Sequence, residues 1–257
     1  MDQEFWARRS ILTLIGGGLA AAVSACGGDD ASTSSTSSSS SSTSSTTTGA
    51  CSTTPEGEIG PYFADDSATG FQRSDITDNV DGTEVQSGVA LTFTVTVIDT
   101  ENECSPMEGV QVDIWHCNAS GIYSDIASEN TSSQNWLRGY QITDTNGVVT
   151  FTTIIPGWYS GRTTHIHLRL RSKYGEASST TDGTNTTQVF FPQDLIDTLS
   201  TSVVPYSAEG SNPTTNATDR VYSQQVDGET LLTLSGSTAG GYSANITVGL
   251  PITALSS

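Results

Sequence analysis

Of the 257 residues in this chain, the first 49 have the composition of a targeting segment and a tether, which leaves roughly 205 residues to fold as one domain with a buried core. The chain carries 9 Lys and Arg residues against 28 Asp and Glu residues, a formal net charge of −19 at pH 7, so nucleic acid is not an expected partner. No long stretch after residue 50 shows helical periodicity, which disfavours a helical bundle and a doubly wound nucleotide-binding sheet.

Residues 1–25 have the layout of an export signal. The pair Arg8-Arg9 precedes an apolar run, residues 11–23, that is too short and too rich in glycine for a membrane span. The arginine pair resembles a Tat signal, and the residues leading to Cys26 resemble a lipobox, whose cysteine becomes lipidated. An ordinary cleaved signal with a chance arginine pair is the alternative. We expect an exported lipoprotein, anchored through Cys26 to the periplasmic or extracellular face of a membrane.

Residues 26–50 are expected to form a disordered tether. Residues 29–48 are almost entirely Ser and Thr, a composition that buries too little apolar surface to offset the entropy cost of ordering. The folded domain is therefore expected to span residues 51–257.

Three cysteines follow the tether: Cys51, Cys104 and Cys117. Outside the cytoplasm, one disulfide and one free thiol is the simplest arrangement. Cys104 lies in a predicted turn and Cys117 at the far end of the following strand, roughly 25 Å away, so these two are the hardest to join. A disulfide is therefore expected to involve Cys51, and its partner stays open.

Short strands with one buried face are predicted along the domain. In residues 90–97, apolar side chains alternate with threonines, the period-two pattern of a half-buried strand. Turn residues at 106–109 and 144–147 separate such segments, and only residues 193–200, after Pro192, favour a helix. This spacing predicts an all-β fold, a β-sandwich of short, mostly antiparallel strands with long loops and at most one or two short helices. The remaining predicted strands are residues 110–114, 140–143, 148–154, 165–171, 187–191, 229–234 and 244–250.

Two of the three histidines, His165 and His167, share one predicted strand. Strand alternation places both imidazoles on one face, about 6.5–7 Å apart along the backbone, while the intervening apolar side chains point into the core. Two imidazoles that converge from one strand are a common metal-ligand geometry. Because Arg169 and Arg171 lie on the same face, the alternative is a solvated strand face with two incidental histidines.

Two loops bounded by glycine each present a tyrosine after a strand. Residues 115–124 contain Tyr123, and residues 156–162 contain Tyr159 and Arg162 and lead into the histidine strand. Loops at one end of a sandwich commonly carry the functional site. His116 is assigned no metal role, Trp115 and Trp158 are expected in the core or pocket wall, and Arg138 in a buried structural pairing.

These motifs together resemble the intradiol ring-cleavage dioxygenases, the catechol 1,2- and protocatechuate 3,4-dioxygenase group. The family usually has an acidic residue immediately before Gly-Pro-Tyr, where this chain has Ile59. The helical dimerisation region of the catechol-cleaving branch has no counterpart here, so homodimer formation is left open. The resemblance covers roughly residues 51–200 and is carried by residues 55–63, 115–124, 136–144, 151–168 and 187–191.

The resemblance implies one non-haem Fe(III) ion per domain. Its ligands would be Tyr123, Tyr159, His165 and His167, and Tyr159 would also serve as a base for a substrate proton. Arg162 would stabilise charge that develops on the substrate ring, and Gln188 would line the same pocket. Fe(III) favours anionic oxygen donors, and coordination lowers the pKa of tyrosine well below its free value of about 10.

The implied activity is cleavage of a catechol-type ring between its two hydroxylated carbons with O2, which gives a muconate-type diacid. The expected partners are the catechol and O2, with membrane contact only through the lipid at Cys26. One alternative is a non-catalytic β-sandwich lipoprotein that binds small aromatics or metal. Another is a zinc-dependent hydrolase using His165 and His167, for which no third ligand is evident. Which catechol is cleaved cannot be predicted from the residues.

Overall fold

Two β-sheets pack face to face around one apolar core. The computed structural model describes residues 51–64, 69–171, 184–225 and 229–251, which belong to one unit that spans residues 47–257. The predicted export signal and tether lie outside the described residues. Among the helices within these ranges, none is long and apolar enough to span a bilayer.

The described chain contains nine strands, one α-helix and three short 3₁₀ helices. The strands are β1 (Ala90–Asp99), β2 (Ser105–Pro106), β3 (Gln111–Trp115), β4 (Arg138–Ile142), β5 (Val148–Ile154), β6 (His165–Arg171), β7 (Thr184–Phe190), β8 (Thr233–Ser237) and β9 (Gly241–Leu250). The α-helix is α1 (Gln193–Ser202), and the 3₁₀ helices are Ala127–Glu129, Tyr206–Ala208 and Tyr222–Gln224.

The first sheet is built around β1, which pairs with β9 on one side and with β5 and β2 on the other; β8 extends it beyond β9. The β1–β9 pairing is parallel, and the other pairings are antiparallel. The second sheet has the order β4-β3-β6-β7 and is antiparallel throughout. The predicted all-β sandwich with one short α-helix is confirmed.

Alternation explains how each sheet contributes to the core. In β1 the side chains of Leu91, Phe93, Val95 and Val97 are buried, and the threonines between them are more exposed. In β6 every residue is buried, because the second sheet is covered on both faces. The alternative of a solvated histidine face is therefore wrong.

The N-terminal segment, residues 51–63, provides part of that cover. The Gly57 N–H donates to the Thr186 carbonyl at 2.7 Å, and the Thr187 hydroxyl donates to the Pro55 carbonyl at 2.9 Å. Cys51 forms a disulfide with Cys104 after β1, with Cα atoms 5.6 Å apart. The expectation that Cys51 takes part in the disulfide is thus confirmed, and the partner is now identified.

The predicted turn at residues 144–147 joins β4 to β5, which lie in different sheets. The chain therefore crosses the sandwich here instead of forming a hairpin. Gly147 has φ 73°, and a Cβ atom at this position would lie 2.4 Å from the Val97 carbonyl oxygen. Only glycine fits a left-handed backbone at such a close approach.

The strand predicted at 229–234 is displaced, since β8 starts at Thr233. Before β8, the Phe190 N–H donates to the Thr230 carbonyl and the Leu232 N–H donates to the Phe190 carbonyl. The chain thus contacts the end of β7 in the second sheet before it enters the first sheet. Because residues 230–232 pair with Phe190, β8 begins later in the sequence than predicted.

Candidate metal centre

The predicted histidine pair lies at the start of β6, where the second sheet meets the loops. His165 and His167 are buried, and their Nε2 atoms are 3.2 Å apart. The Nδ1–H of His165 donates to the Thr163 carbonyl at 2.6 Å, which leaves the lone pair on Nε2 directed toward His167. Both histidines therefore present the same ring atom to one point.

The loop that follows β5 brings Tyr159 to this point. Its Oη atom lies 3.3 Å from Nε2 of His165, and the Arg162 N–H donates to the Tyr159 carbonyl to close the turn. Tyr159 is only partly buried. Its side chain therefore borders the open side of the cluster.

Tyr123 completes the cluster from the loop that follows β3 and is fully buried. Its ring is stacked on that of Tyr62, with centroids 4.4 Å apart, and its centroid is 5.7 Å from that of Tyr159 and 6.3 Å from that of His167. Among the described residues, the buried Oη atom of Tyr123 has no partner at hydrogen-bond geometry. Tyr159 lies beside this phenol, and a bound cation is one way to satisfy the oxygen.

The loops that carry Tyr123 and Tyr159 are joined through two glycines. A Cβ atom on Gly121 would lie 2.1 Å from the Trp158 carbonyl oxygen, and one on Gly157 would lie 2.3 Å from the Ala119 carbonyl oxygen. The Gly157 N–H donates to the Asn118 carbonyl at 3.0 Å. The two tyrosines are thus held together by backbone contact that a side chain would prevent.

Residues 59–63 cover the cluster from the N-terminal segment. Ile59, Tyr62 and Phe63 pack against the buried group of Trp115, Cys117 and Tyr123. Gly60 adopts φ 69°, and its Cβ position is 3.2 Å from Cε1 of His167. Ile59, which stands where the resembled family has an acidic residue, therefore makes apolar contact here.

Three of the four predicted donor atoms, Nε2 of His165, Nε2 of His167 and Oη of Tyr159, lie at separations compatible with one shared cation. Nitrogen ligands about 2.1 Å from a shared metal ion lie roughly 3.0–3.5 Å from each other, the range in which the two Nε2 atoms are found. The described residues contain no group of three or more His, Cys, Asp and Glu side chains able to hold a metal ion. The tyrosines would therefore have to complete any metal site here, which argues against the zinc hydrolase.

Burial sets the protonation of all four side chains. It lowers the pKa of His165 to about 3, with a further contribution from Arg162, and lowers the pKa of His167 well below its ordinary value. It raises the pKa of Tyr159 to about 12 and that of Tyr123 well above its ordinary value. The imidazoles are therefore neutral and able to donate to a metal, whereas each phenol keeps its proton until a cation replaces it.

Arg162 and Gln188 lie beside the cluster and contact each other. The Arg162 guanidinium donates to Oε1 of Gln188, whose amide donates to the Glu58 carbonyl at 2.7 Å. Gln188 is opposite His167 in the β6–β7 register. The structure thus brings together all six residues that the sequence nominated.

Asp219 was missed by the sequence analysis. Its carboxylate accepts from Nε of Arg162 at 2.9 Å and from the Thr163 N–H at 2.8 Å, and it is fully buried. Burial opposes its ionisation, but the Tyr222 N–H and Arg162 outweigh that effect and lower its pKa. No motif marks this position, since Asp219 lies in a Thr- and Asn-rich loop.

The four neighbouring residues with expected structural roles are placed accordingly. Trp115 is buried and stacked on His167 at 4.7 Å between centroids, and Trp158 donates from Nε1 to the Gly210 carbonyl at 3.0 Å. Arg138 is buried and donates to Oγ and the carbonyl of Ser124, next to Tyr123. His116 is buried, and its two ring nitrogens are taken by the Cys117 carbonyl and the Thr153 hydroxyl.

Comparison with known proteins agrees with this geometry. A family model described as dioxygenase matches residues 59–206. The catechol 1,2-dioxygenase of Candida albicans is 33% identical over 101 residues, which cover 39% of this chain and 31% of that protein. The aligned region thus spans about a third of the length of that relative.

Two solved structures are similar over most of this chain. An intradiol ring-cleavage dioxygenase from Tetranychus urticae is 28% identical with a TM-score of 0.66, over 79% of this chain and 96% of that one. The dioxygenase domain of a dioxygenase carbohydrate-binding protein fusion from Streptomyces sp. SirexAA-E is 26% identical with a TM-score of 0.54. The match covers 78% of this chain and 99% of that domain. The chain belongs to the intradiol ring-cleavage dioxygenase family.

Proposed function

We propose that this chain is a non-haem Fe(III)-dependent dioxygenase that cleaves a catechol between its two hydroxylated carbons and yields a muconate-type diacid. The observation that carries the proposal is the convergence of two phenol and two imidazole rings, with Nε2 of His165 3.2 Å from Nε2 of His167 and 3.3 Å from Oη of Tyr159. Family membership supplies the reaction class.

The proposed metal ligands are Tyr123, Tyr159, His165 and His167. Ferric iron held by these residues would supply a strong Lewis acid for a catechol and would activate its ring toward O2. Two tyrosinates offset most of the charge of Fe(III), and neutral imidazoles add none. The buried Oη of Tyr123 supports this assignment, because no described residue meets it at hydrogen-bond geometry and a cation would satisfy it.

The two tyrosines differ in exposure, which suggests different roles. Tyr123 is fully buried beneath Tyr62 and beside Arg138, so it has no room to move. Tyr159 is partly exposed, and two residues later comes Gly161, whose Cβ position meets no atom within 4 Å. Tyr159 is therefore the residue able to swing away and accept a substrate proton on its Oη.

Arg162 is positioned to stabilise negative charge on the substrate. Its side chain is only 16% exposed and carries donors beyond those that Gln188 and Asp219 use. A fixed guanidinium stabilises an anion at no reorganisation cost. The non-catalytic alternative has no comparable support, because all six nominated residues are present and adjacent.

Iron loading and product analysis test the proposed function. Iron-loaded protein is expected to be reddish from tyrosinate-to-Fe(III) charge transfer, and added catechol should shift this absorption as it chelates. Mass spectrometry should then detect a diacid with the mass of catechol plus one O2. A colourless protein that is fully loaded with another metal would contradict the proposal, and so would a red protein that leaves every member of a panel of catechols intact after incubation in air.

We also propose that the domain is exported and is attached to a membrane through a lipid at Cys26. The Cys51–Cys104 disulfide supports an oxidising compartment. Full-length protein in its native host is expected in the membrane fraction, and Cys26→Ser is expected to release it to the soluble exported fraction. Wild-type protein recovered from the cytoplasm would refute this placement.

A further inference from the structure

The segment of residues 210–222 packs against the loop that carries Tyr159 and Arg162, and it lies beyond the region that the family model matches. The Asn212 amide donates to the Arg162 carbonyl at 2.9 Å, and the Gly210 carbonyl accepts from Nε1 of Trp158 at 3.0 Å. The Thr163 hydroxyl donates to Oδ1 of Asn216 at 2.7 Å. This later part of the chain therefore fixes the backbone around Arg162.

Asp219 is the charged residue at the centre of that contact. One carboxylate oxygen accepts from Nε of Arg162 and from the Thr163 N–H, and the other accepts from the Val221 and Tyr222 N–H groups at 2.8 and 2.9 Å. Four donors hold the carboxylate in one orientation, and its side chain is 0% exposed. A buried carboxylate with this set of donors stays ionised.

Asp219 and Gln188 together fix the Arg162 side chain in one orientation. Asp219 accepts from Nε and Gln188 accepts from one terminal nitrogen. Within the part of the chain that the structure describes, the other terminal nitrogen has no partner and can donate to a ligand. The ion pair also makes this part of the pocket electrically neutral. At the rim, Arg220 is likewise paired with a carboxylate, that of Glu58, at 2.7 Å.

A catechol with a ring carboxylate would bring an additional negative charge into this pocket. An unpaired arginine would favour that charge, whereas one already paired with a buried carboxylate offers little net attraction. The chain as a whole has a net charge of −19, which adds repulsion for an anionic substrate.

We propose that Asp219 is a positioning and specificity-determining residue. It fixes Arg162 for direct contact with charge that develops on the bound ring, and it offsets the longer-range attraction of the guanidinium for a ring carboxylate, so that the pocket takes uncharged catechols in preference to ring-carboxylated ones. This inference rests on the proposed function, since it assumes that catechols bind beside Arg162.

The test compares iron-loaded wild type and Asp219→Asn on two diols, catechol and 3,4-dihydroxybenzoate. The variant is expected to shift the ratio of kcat/KM values roughly tenfold toward the carboxylated diol, because one negative charge near the ring is removed. General loss of folding or of iron would lower both values and leave their ratio unchanged. Glu108→Gln, which removes an exposed charge before β3, is the matched control and should leave the ratio unaltered.

Binding provides a readout that does not depend on turnover. Calorimetry with phenol and 4-hydroxybenzoate, which lack the second hydroxyl, should show the same shift in relative dissociation constants for Asp219→Asn. If the wild type cleaves neither these diols nor any other catechol, the proposed function fails, and the calorimetric ratio still decides the role of Asp219. A folded variant with wild-type selectivity in both measurements would overturn the inference.

Two further variants keep the inference testable if Asp219→Asn does not fold. Asp219→Glu keeps the charge but displaces it, so selectivity should stay close to wild type while kcat falls. Gln188→Glu adds a second carboxylate beside Arg162 and should shift the kcat/KM ratio further toward catechol. A shift of the Gln188→Glu ratio toward the carboxylated diol would contradict the electrostatic argument.

Discussion

Tyr159→Phe is expected to lower kcat for catechol by roughly 10²–10⁴-fold, the usual contribution of a positioned general base. The substitution removes the Oη atom that lies 3.3 Å from Nε2 of His165, and with it one proposed metal ligand. The visible absorption of the iron-loaded protein should change as well, because one of two tyrosinates no longer contributes. Stopped-flow kinetics and the absorption spectrum of the same sample measure both effects.

Tyr62→Phe is the matched control for that variant. It removes the same hydroxyl from a tyrosine in the same cluster, stacked on Tyr123 and 5.6 Å from Tyr159 between centroids, but outside the proposed ligand set. Its colour and kcat are expected to stay near those of the wild type. Equal losses in Tyr62→Phe and Tyr159→Phe would mean that the cluster needs both hydroxyls for packing and that Tyr159 has no separate role.

Gly121→Ala is expected to destabilise the protein by about 3–5 kcal/mol, which corresponds to a fall in Tm on the order of 10 °C. Gly121 has φ 80°, and its Cβ position lies 2.1 Å from the Trp158 carbonyl oxygen. The added methyl group would force apart the loops that carry Tyr123 and Tyr159. Thermal unfolding followed by circular dichroism, with iron content measured on the same sample, tests both consequences.

Gly161→Ala separates the two causes of the stability loss expected for Gly121→Ala, which are the left-handed backbone and the steric clash with the neighbouring loop. Gly161 has φ 89° but no atom within 4 Å of its Cβ position, so only the backbone penalty of about 1–2 kcal/mol applies. Its Tm should therefore fall clearly less than that of Gly121→Ala. If the two variants have the same Tm, the contact between the tyrosine loops contributes nothing to stability.

Local patterns in the sequence were sufficient to predict the elements and most of the candidate site. The alternation in β1 identified its buried face, and the spacing of His165 and His167 placed both imidazoles on one side of β6. Such patterns depend only on the two-residue period of a strand. The two tyrosines were nominated by their resemblance to family motifs, and the fold brings them to the same point.

Features that depend on distant segments could not be read in this way. The histidine face is buried because residues 51–63, about a hundred positions earlier, lie over the second sheet. β4 and β5 were expected to be separated by a turn, but nothing in the turn showed that they would enter different sheets. Asp219 acts on Arg162 across 57 positions, without a motif to mark it.

The wide sequence separation of the pocket walls determines when the chain could acquire a cation during folding. Gln188 contacts Glu58 across 130 positions, and Arg220 contacts Glu58 across 162. The chain between such distant residues must fold back before these contacts can form. Folding is slow for chains dominated by contacts between distant residues. A metal ion would therefore bind after most of the domain has folded, and it would lower the rate of unfolding. In small zinc fingers, by contrast, metal binding supplies the free energy of folding.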